Sequence, residues 1–226
     1  MKKLILIAIV SASLPALSAS AQGLFLFTGP VRGVWDVYSN GFPRLQGTMN
    51  VALMVNLNNG MAPAIDAIMT STRTNGTASD FALFYALNQQ VYWNVIMSDP
   101  NYVVAIDSAT SQPAVAAVGN NGAWTYNSGA SFGIAGSSGN GGTAQVYVLA
   151  WDKQFATPAL AAANDAPLGW SAPFSYTYAS GNPPGTPALM APLVTPFGVY
   201  VQIPEPAVFT LAGLGAAAML IFRRRK

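Results

Sequence analysis

The alternation of apolar and polar residues predicts short β-strands separated by turns. Residues 48–56 carry apolar side chains at every second position from Met49 to Val55, which is the period of a strand with one buried face. Residues 145–151 form the clearest strand of the chain, and residues 102–106, 123–126 and 170–178 are further candidates. Asn, Asp, Pro and Gly between these runs favour turns, as at 56–60, 99–101 and 120–122. We therefore expect a mainly β fold, an antiparallel β-sandwich-like domain.

Two other segments have less distinct secondary-structure signals. The apolar runs 81–87 and 91–97 are separated by three polar residues and predict a hairpin, although the first run could also be a short helix. Residues 129–142 are rich in Gly and Ser, which is typical of a flexible loop.

One short helix is predicted near the end of the domain. Thr157 and Pro158 have the residue types preferred at an N-cap and at the first helical position. The Ala-rich run 159–163 follows, and Asn164 is a suitable stop.

The N-terminus has the pattern of a secretory signal peptide. Two lysines precede the apolar run 4–10, and the small residues Ala19 and Ala21 form an A-x-A cleavage site. We expect signal peptidase to remove residues 1–21, so that the mature chain starts at Gln22. Export then follows the Sec route.

The C-terminal residues 203–226 have three parts. The motif Pro204, Glu205 and Pro206 marks a boundary, because proline cannot continue a helix backward. The uncharged segment 207–222 would span roughly 24 Å as a helix at about 1.5 Å per residue. Local thinning and snorkelling can adapt such a segment to a ~30 Å hydrocarbon core. The basic cluster that follows should stay cytoplasmic, with the domain outside: Arg223, Arg224, Arg225 and Lys226.

This tail resembles the PEP-CTERM sorting signal, with Ile203 where the family often has Val. The resemblance implies processing near residues 204–206 by an exosortase-like enzyme of the inner membrane. It also implies that the protein is anchored in that membrane transiently. Family members end at the cell surface or outside the cell, often in bacteria that make extracellular polysaccharide.

The predicted organisation is therefore a signal peptide (1–21), a β-rich extracytoplasmic domain (22–180), a Pro-rich linker (181–202) and the sorting tail (203–226). The linker is expected to be extended because it holds five prolines. Residues 197–202 could form a last strand on the edge of the domain.

The amino-acid composition excludes several classes of functional site. The chain has no Cys and no His, which excludes disulfides, Cys/His zinc sites and Ser-His-Asp triads. Residues 22–203 hold four basic and seven acidic residues, a net charge of −3. Such a body has no basic surface for nucleic acid. We predict no cofactor and no metal.

The remaining candidates for chemistry are carboxylates and aromatic rings. Two of the Asp residues could form the acid pair of a glycoside hydrolase, but Asp99 and Asp107 flank a strand, where turn roles are common. Residues 99–101 and 120–121 are rich in oxygen ligands suited to calcium, without the spacing of a calcium loop. Exposed rings could stack on sugars, whereas buried rings would belong to the core: Trp35, Trp93, Trp124, Trp151, Trp170, Tyr38, Tyr126 and Tyr147.

Sequence reasoning thus favours a non-enzymatic surface or extracellular-matrix protein with a structural, adhesive or polysaccharide-associated role. The alternatives are a secreted carbohydrate-active hydrolase and a carbohydrate-binding module.

Overall fold

The computed structural model describes residues 22–36, 47–58, 63–64 and 89–199, with the backbone alone at residues 35, 36 and 89. Within these ranges the helices are α1 (Gln89–Ser98) and α2 (Pro158–Ala163), and a short 3₁₀ turn covers Asn127–Gly129. The strands are β1 (Leu24–Phe25), β2 (Val34–Asp36), β3 (Met49–Asn56), β4 (Val103–Val104), β5 (Ile106–Asp107), β6 (Gln112–Pro113), β7 (Val115–Ala117), β8 (Phe132–Gly133), β9 (Gly142–Asp152), β10 (Leu168–Trp170), β11 (Phe174–Tyr178) and β12 (Phe197–Val199).

The centre of the fold is an antiparallel sheet with the strand order β10-β9-β3-β4. β3 and β9 pair over the full length of β3, from Met49 opposite Asp152 to Asn56 opposite Gln145. β11 extends the sheet next to β9, and β7 extends it next to β3. The remaining described strands form the pairs β1–β8, β2–β12 and β5–β6. The prediction of a mainly β, antiparallel fold is confirmed.

Both faces of the central sheet are buried. One face, which includes Val51 of β3 and Val148 of β9, packs against the N-terminal strand, β8 and the segment that ends in β12. The opposite face, which includes Met54 and Leu149, packs against α1 and α2. The fold therefore differs from the predicted sandwich with one short helix, because two helices cover one face of the sheet.

Helix α1 corrects a prediction. Residues 91–97 were expected to be a strand of a hairpin, but they lie within the helix Gln89–Ser98. Tyr92 and Ile96 are four residues apart and both are buried against the sheet. A short apolar run is compatible with either a helix or a strand. Packing of Tyr92 and Ile96 against the sheet favours the helix here. The partner run 81–87 lies outside the described residues.

Helix α2 confirms its prediction in detail. It covers Pro158–Ala163, and the Thr157 hydroxyl accepts a hydrogen bond from the Leu160 amide at 3.2 Å. Asn164 is the C-cap.

Three other strand and loop predictions need adjustment. Residues 170–178 cover the end of β10 (Leu168–Trp170) and all of β11 (Phe174–Tyr178), which both pair with β9. Between them the Ser171 hydroxyl accepts the Val148 amide at 2.9 Å and so replaces a backbone acceptor of the ladder. Residues 102–106 are likewise divided between β4 and β5. The Gly/Ser-rich segment 129–142 is not simply a flexible loop, because it contains β8 and buries the apolar side chains of Phe132 and Ile134.

The turn predictions at 99–101 and 120–122 are confirmed. Asp99 Oδ1 accepts the Asn101 amide at 2.9 Å, and Asn121 Oδ1 accepts the Ala123 amide at 3.1 Å. Gly122 has φ +77°, a left-handed conformation that glycine adopts without steric cost.

Candidate functional site

The C-terminal end of the described chain is a buried strand. Phe197, Gly198 and Val199 form β12, which pairs in parallel with β2. The side chains of Phe197 and Val199 are fully buried. The Phe197 amide donates to the Gly33 carbonyl at 2.9 Å. Its ring meets the edge of Trp124, with ring centroids 6.4 Å apart. The main chain is therefore held in the core up to Val199.

β12 also lies directly against β10. A Cβ atom placed on Gly169 would be 2.4 Å from the Gly198 carbonyl oxygen and 2.7 Å from Val199 Cγ1. Such distances are shorter than van der Waals contact, so glycine is required for this close approach of the two backbones.

The segment before β12 is docked as well. Met190 and Val194 are buried in the same core as Phe197. The Tyr176 hydroxyl donates to the Ala188 carbonyl at 2.7 Å and accepts the Leu26 amide at 3.0 Å. One phenol thus joins the C-terminal segment to the N-terminal one. Residues 181–202 were predicted to be a Pro-rich extended linker. In its described part Leu189 and Leu193 are exposed, but four other apolar side chains are instead buried in the core: Met190, Val194, Phe197 and Val199.

A family model for the PEP-CTERM protein-sorting motif matches residues 202–226. The chain carries a PEP-CTERM sorting signal. The match begins just after the buried strand β12, and it confirms the resemblance read from the sequence. The signal implies an exported protein that is processed by exosortase, a membrane enzyme.

No curated protein and no solved structure matches the chain significantly. The PEP-CTERM match therefore concerns the routing of the protein and not the role of its body.

The predicted sorting residues lie outside the described part of the chain. These are Pro204, Glu205 and Pro206, the basic anchor Arg223 to Lys226, and the cleavage residues Ala19 and Ala21. Gln22, the predicted first residue of the mature PEP-CTERM protein, is the first described residue. Within the described ranges no helix is long and apolar enough to cross a membrane; the predicted helix over 207–222 lies outside them.

Two of the candidate carboxylates are buried in turns. Asp107 is 4% exposed; its Oδ1 accepts the Ala109 amide at 2.8 Å and its Oδ2 accepts the Tyr126 hydroxyl at 2.7 Å. Asp99 is 7% exposed, and its Oδ2 accepts the Ala64 amide at 2.7 Å. Both oxygens of each carboxylate therefore accept hydrogen bonds from backbone amides or from a tyrosine hydroxyl.

The electrostatic effect of these carboxylates is seen on neighbouring tyrosines. The pKa of Tyr102 is raised to about 12 by burial and by the charge of Asp99, against a hydrogen bond with Asn56 that lowers it. Burial, and next the charge of Asp99, raise the pKa of Tyr147 far above its usual value. Burial and the hydrogen bond to Asp107 raise the pKa of Tyr126. All these shifts keep the phenols neutral, so they do not prepare a phenolate for catalysis.

The aromatic candidates mostly belong to the core. Trp124, Trp151, Trp170 and Tyr147 are at most 2% exposed, and Trp93 packs partly buried against the helix-covered core. The Tyr126 ring meets Phe132 edge-on at 4.7 Å. Tyr38 and the side chain of Trp35 lie outside what the structure describes.

No group of three acidic side chains that could hold a metal ion occurs among residues 22–36, 47–58, 63–64 and 89–199. Among the oxygen-rich residues at 99–101 and 120–121, Asp99 Oδ1 and Asn121 Oδ1 accept the amides of their own turns.

Sequence reasoning missed Gly169 and Tyr176 as residues that hold the body next to the sorting tail. Neither stands in a motif, since their roles depend on partners far away in sequence. The apolar run that begins at Phe197 was a usable signal, and the strand suggested there is confirmed over Phe197–Val199.

Proposed function

We propose that this protein is a non-catalytic surface or extracellular-matrix protein with a structural, adhesive or polysaccharide-associated role. It is delivered by its PEP-CTERM tail. The observation that carries the proposal is that the folded body reaches Val199, with only residues 200 and 201 before the sorting motif. The sorting tail thus follows directly on the folded body and supplies its routing.

The N-terminal geometry supports removal of the signal peptide before Gln22. Gly23 is buried, and its amide donates to Ser137 Oγ at 2.9 Å. Leu24 exchanges two backbone hydrogen bonds with Ala179, at 2.9 and 3.0 Å. A chain that starts at Gln22 therefore enters the fold almost at once.

The described carboxylates support a non-catalytic body. Asp99, Asp107 and Asp152 each accept the backbone amide two residues further on, which is the geometry of an Asx turn. The alternative hydrolase needs two carboxyl groups that face substrate across a cleft. The alternative binding module needs flat exposed rings, and Trp124, Trp151 and Trp170 are buried.

The first test is the intact mass of the protein recovered from the envelope and the medium of its native host, with mapping of the terminal peptides. We expect a species that starts near Gln22 and ends near residues 204–206. The variant Pro204→Ala should accumulate with its tail, whereas Pro113→Ala, at an exposed proline far from the C-terminal segment, should be processed normally. A main species that keeps Arg223 to Lys226 would contradict the sorting route.

The role of the body is tested with the processed protein from the medium. It should sediment with the extracellular polysaccharide of the host, or with the cells, without releasing new reducing ends from that polysaccharide. If reducing ends accumulate and Asp107→Asn abolishes them, the body is a hydrolase and the non-catalytic proposal is wrong.

A further inference from the structure

The position of β12 limits the chain that a sorting enzyme can reach. Val199 is fully buried, and its strand is held by β2 on one side and by the backbone of β10 at Gly169. Residues 200–206 connect it to the predicted membrane segment, which starts at Ala207. Fully extended, this connection measures at most about 3.3–3.6 Å per residue, roughly 25 Å in total.

A processing enzyme must bind extended main chain on both sides of the bond that it cuts, because extended peptides are recognised through their backbone groups and alternate side chains. For a cut near Pro204 to Pro206, the residues on the N-terminal side run back toward Val199. Only residues 200–203 separate the docked strand from Pro204, so an enzyme that binds several residues before the cut must approach the folded body closely.

We propose that docking of β12 restrains removal of the sorting tail, so that the enzyme acts when the end of this strand leaves the sheet. This inference rests on the proposed function and concerns regulation of the same site. The strap is defined as residues 188–199, from the Ala188 carbonyl that binds Tyr176 to the buried side chain of Val199. Release of its last residues lengthens the reachable chain without unfolding the central sheet.

The test measures how fast the tail is lost after a pulse of synthesis in the native host, by intact mass of the full-length protein. In the first variant, six Gly and Ser residues are inserted between Val201 and Gln202. Its control carries the same insertion between Ala130 and Ser131, which are both exposed. The second variant is Gly169→Ala, which pushes β12 off β10. Its control is Gly119→Ala, where the nearest atom to the added Cβ is 3.4 Å away.

We expect the insertion at 201 and Gly169→Ala to remove the tail several-fold faster than the parent, and both controls to match the parent. Equal rates in the parent and the insertion variant would overturn the inference. Slower processing of the insertion variant would also overturn it, because the enzyme would then need the body next to the motif. A parent that keeps its tail would refute the proposed sorting route itself, which is a distinct result.

Discussion

The hydroxyl of Tyr176 offers the sharpest test of how the two ends of the body are held together. It is buried, accepts the Leu26 amide at 3.0 Å and donates to the Ala188 carbonyl at 2.7 Å. Tyr176→Phe removes both hydrogen bonds and keeps the ring, which stacks on Phe25 with centroids 5.4 Å apart.

The size of the effect follows from what replaces the hydroxyl. Ala188 is exposed, so water can bind its carbonyl once the phenol is gone. The Leu26 amide is half-buried and has less access to water. An unpaired buried donor costs about 1–3 kcal/mol, so we expect a loss of about 1.5 kcal/mol in the free energy of unfolding. For a body of this size, that lowers Tm by roughly 3–6 °C.

The matched control is Tyr178→Phe. Tyr178 lies on the same strand and stacks on the same Phe25, with centroids 4.7 Å apart. Within the described part of the chain its hydroxyl makes no hydrogen bond, so its Tm should change little. Thermal and urea unfolding of the processed protein measure both variants. Identical midpoints for Tyr176→Phe and Tyr178→Phe would refute the assignment of Tyr176 as the link between the ends.

Two further predictions concern packing and pH. Gly169→Ala should lower the free energy of unfolding by about 1–3 kcal/mol, because its Cβ overlaps the backbone of β12; urea unfolding beside Gly119→Ala measures this, and equal stability would contradict the close packing. The free energy of unfolding should fall as the pH rises from 10.0 to about 12, because burial raises the pKa of Tyr102 to about 12 and the unfolded phenol loses its proton first. Urea titrations across this range should show a shallower fall for Tyr102→Phe, and parallel curves would speak against the pKa shift.

The sequence predicted the elements whose signals are local. Thr157 and Pro158 identify the start of α2 because capping and proline geometry involve adjacent residues only. β3 was recognised from its alternation, although both of its faces are buried in the structure. The same method failed at residues 91–97, where the choice between helix and strand depends on the sheet surface that Tyr92 and Ile96 contact.

The same difference between local and long-range signals applies to the candidate site. The sorting motif at 204–206 is a linear signal, and the comparison with known families confirms it. The docking of β12 depends on β2 and Gly169, which are distant in sequence. The five prolines of 181–202 suggested an extended connection, because composition does not reveal that Met190 and Val194 have a core to enter.

The pairing of β2 with β12 also sets an order of events during secretion. Val34 lies near the start of the body and its partner Phe197 near the end, so this parallel pair cannot form until the chain as far as Phe197 is available to fold. Long-range pairs of this kind form late, because the chain between them must first be ordered. The last strand of the body therefore takes its place only when the sorting signal at residues 202–226 is next to follow, so that completion of the fold marks the end of the body during export.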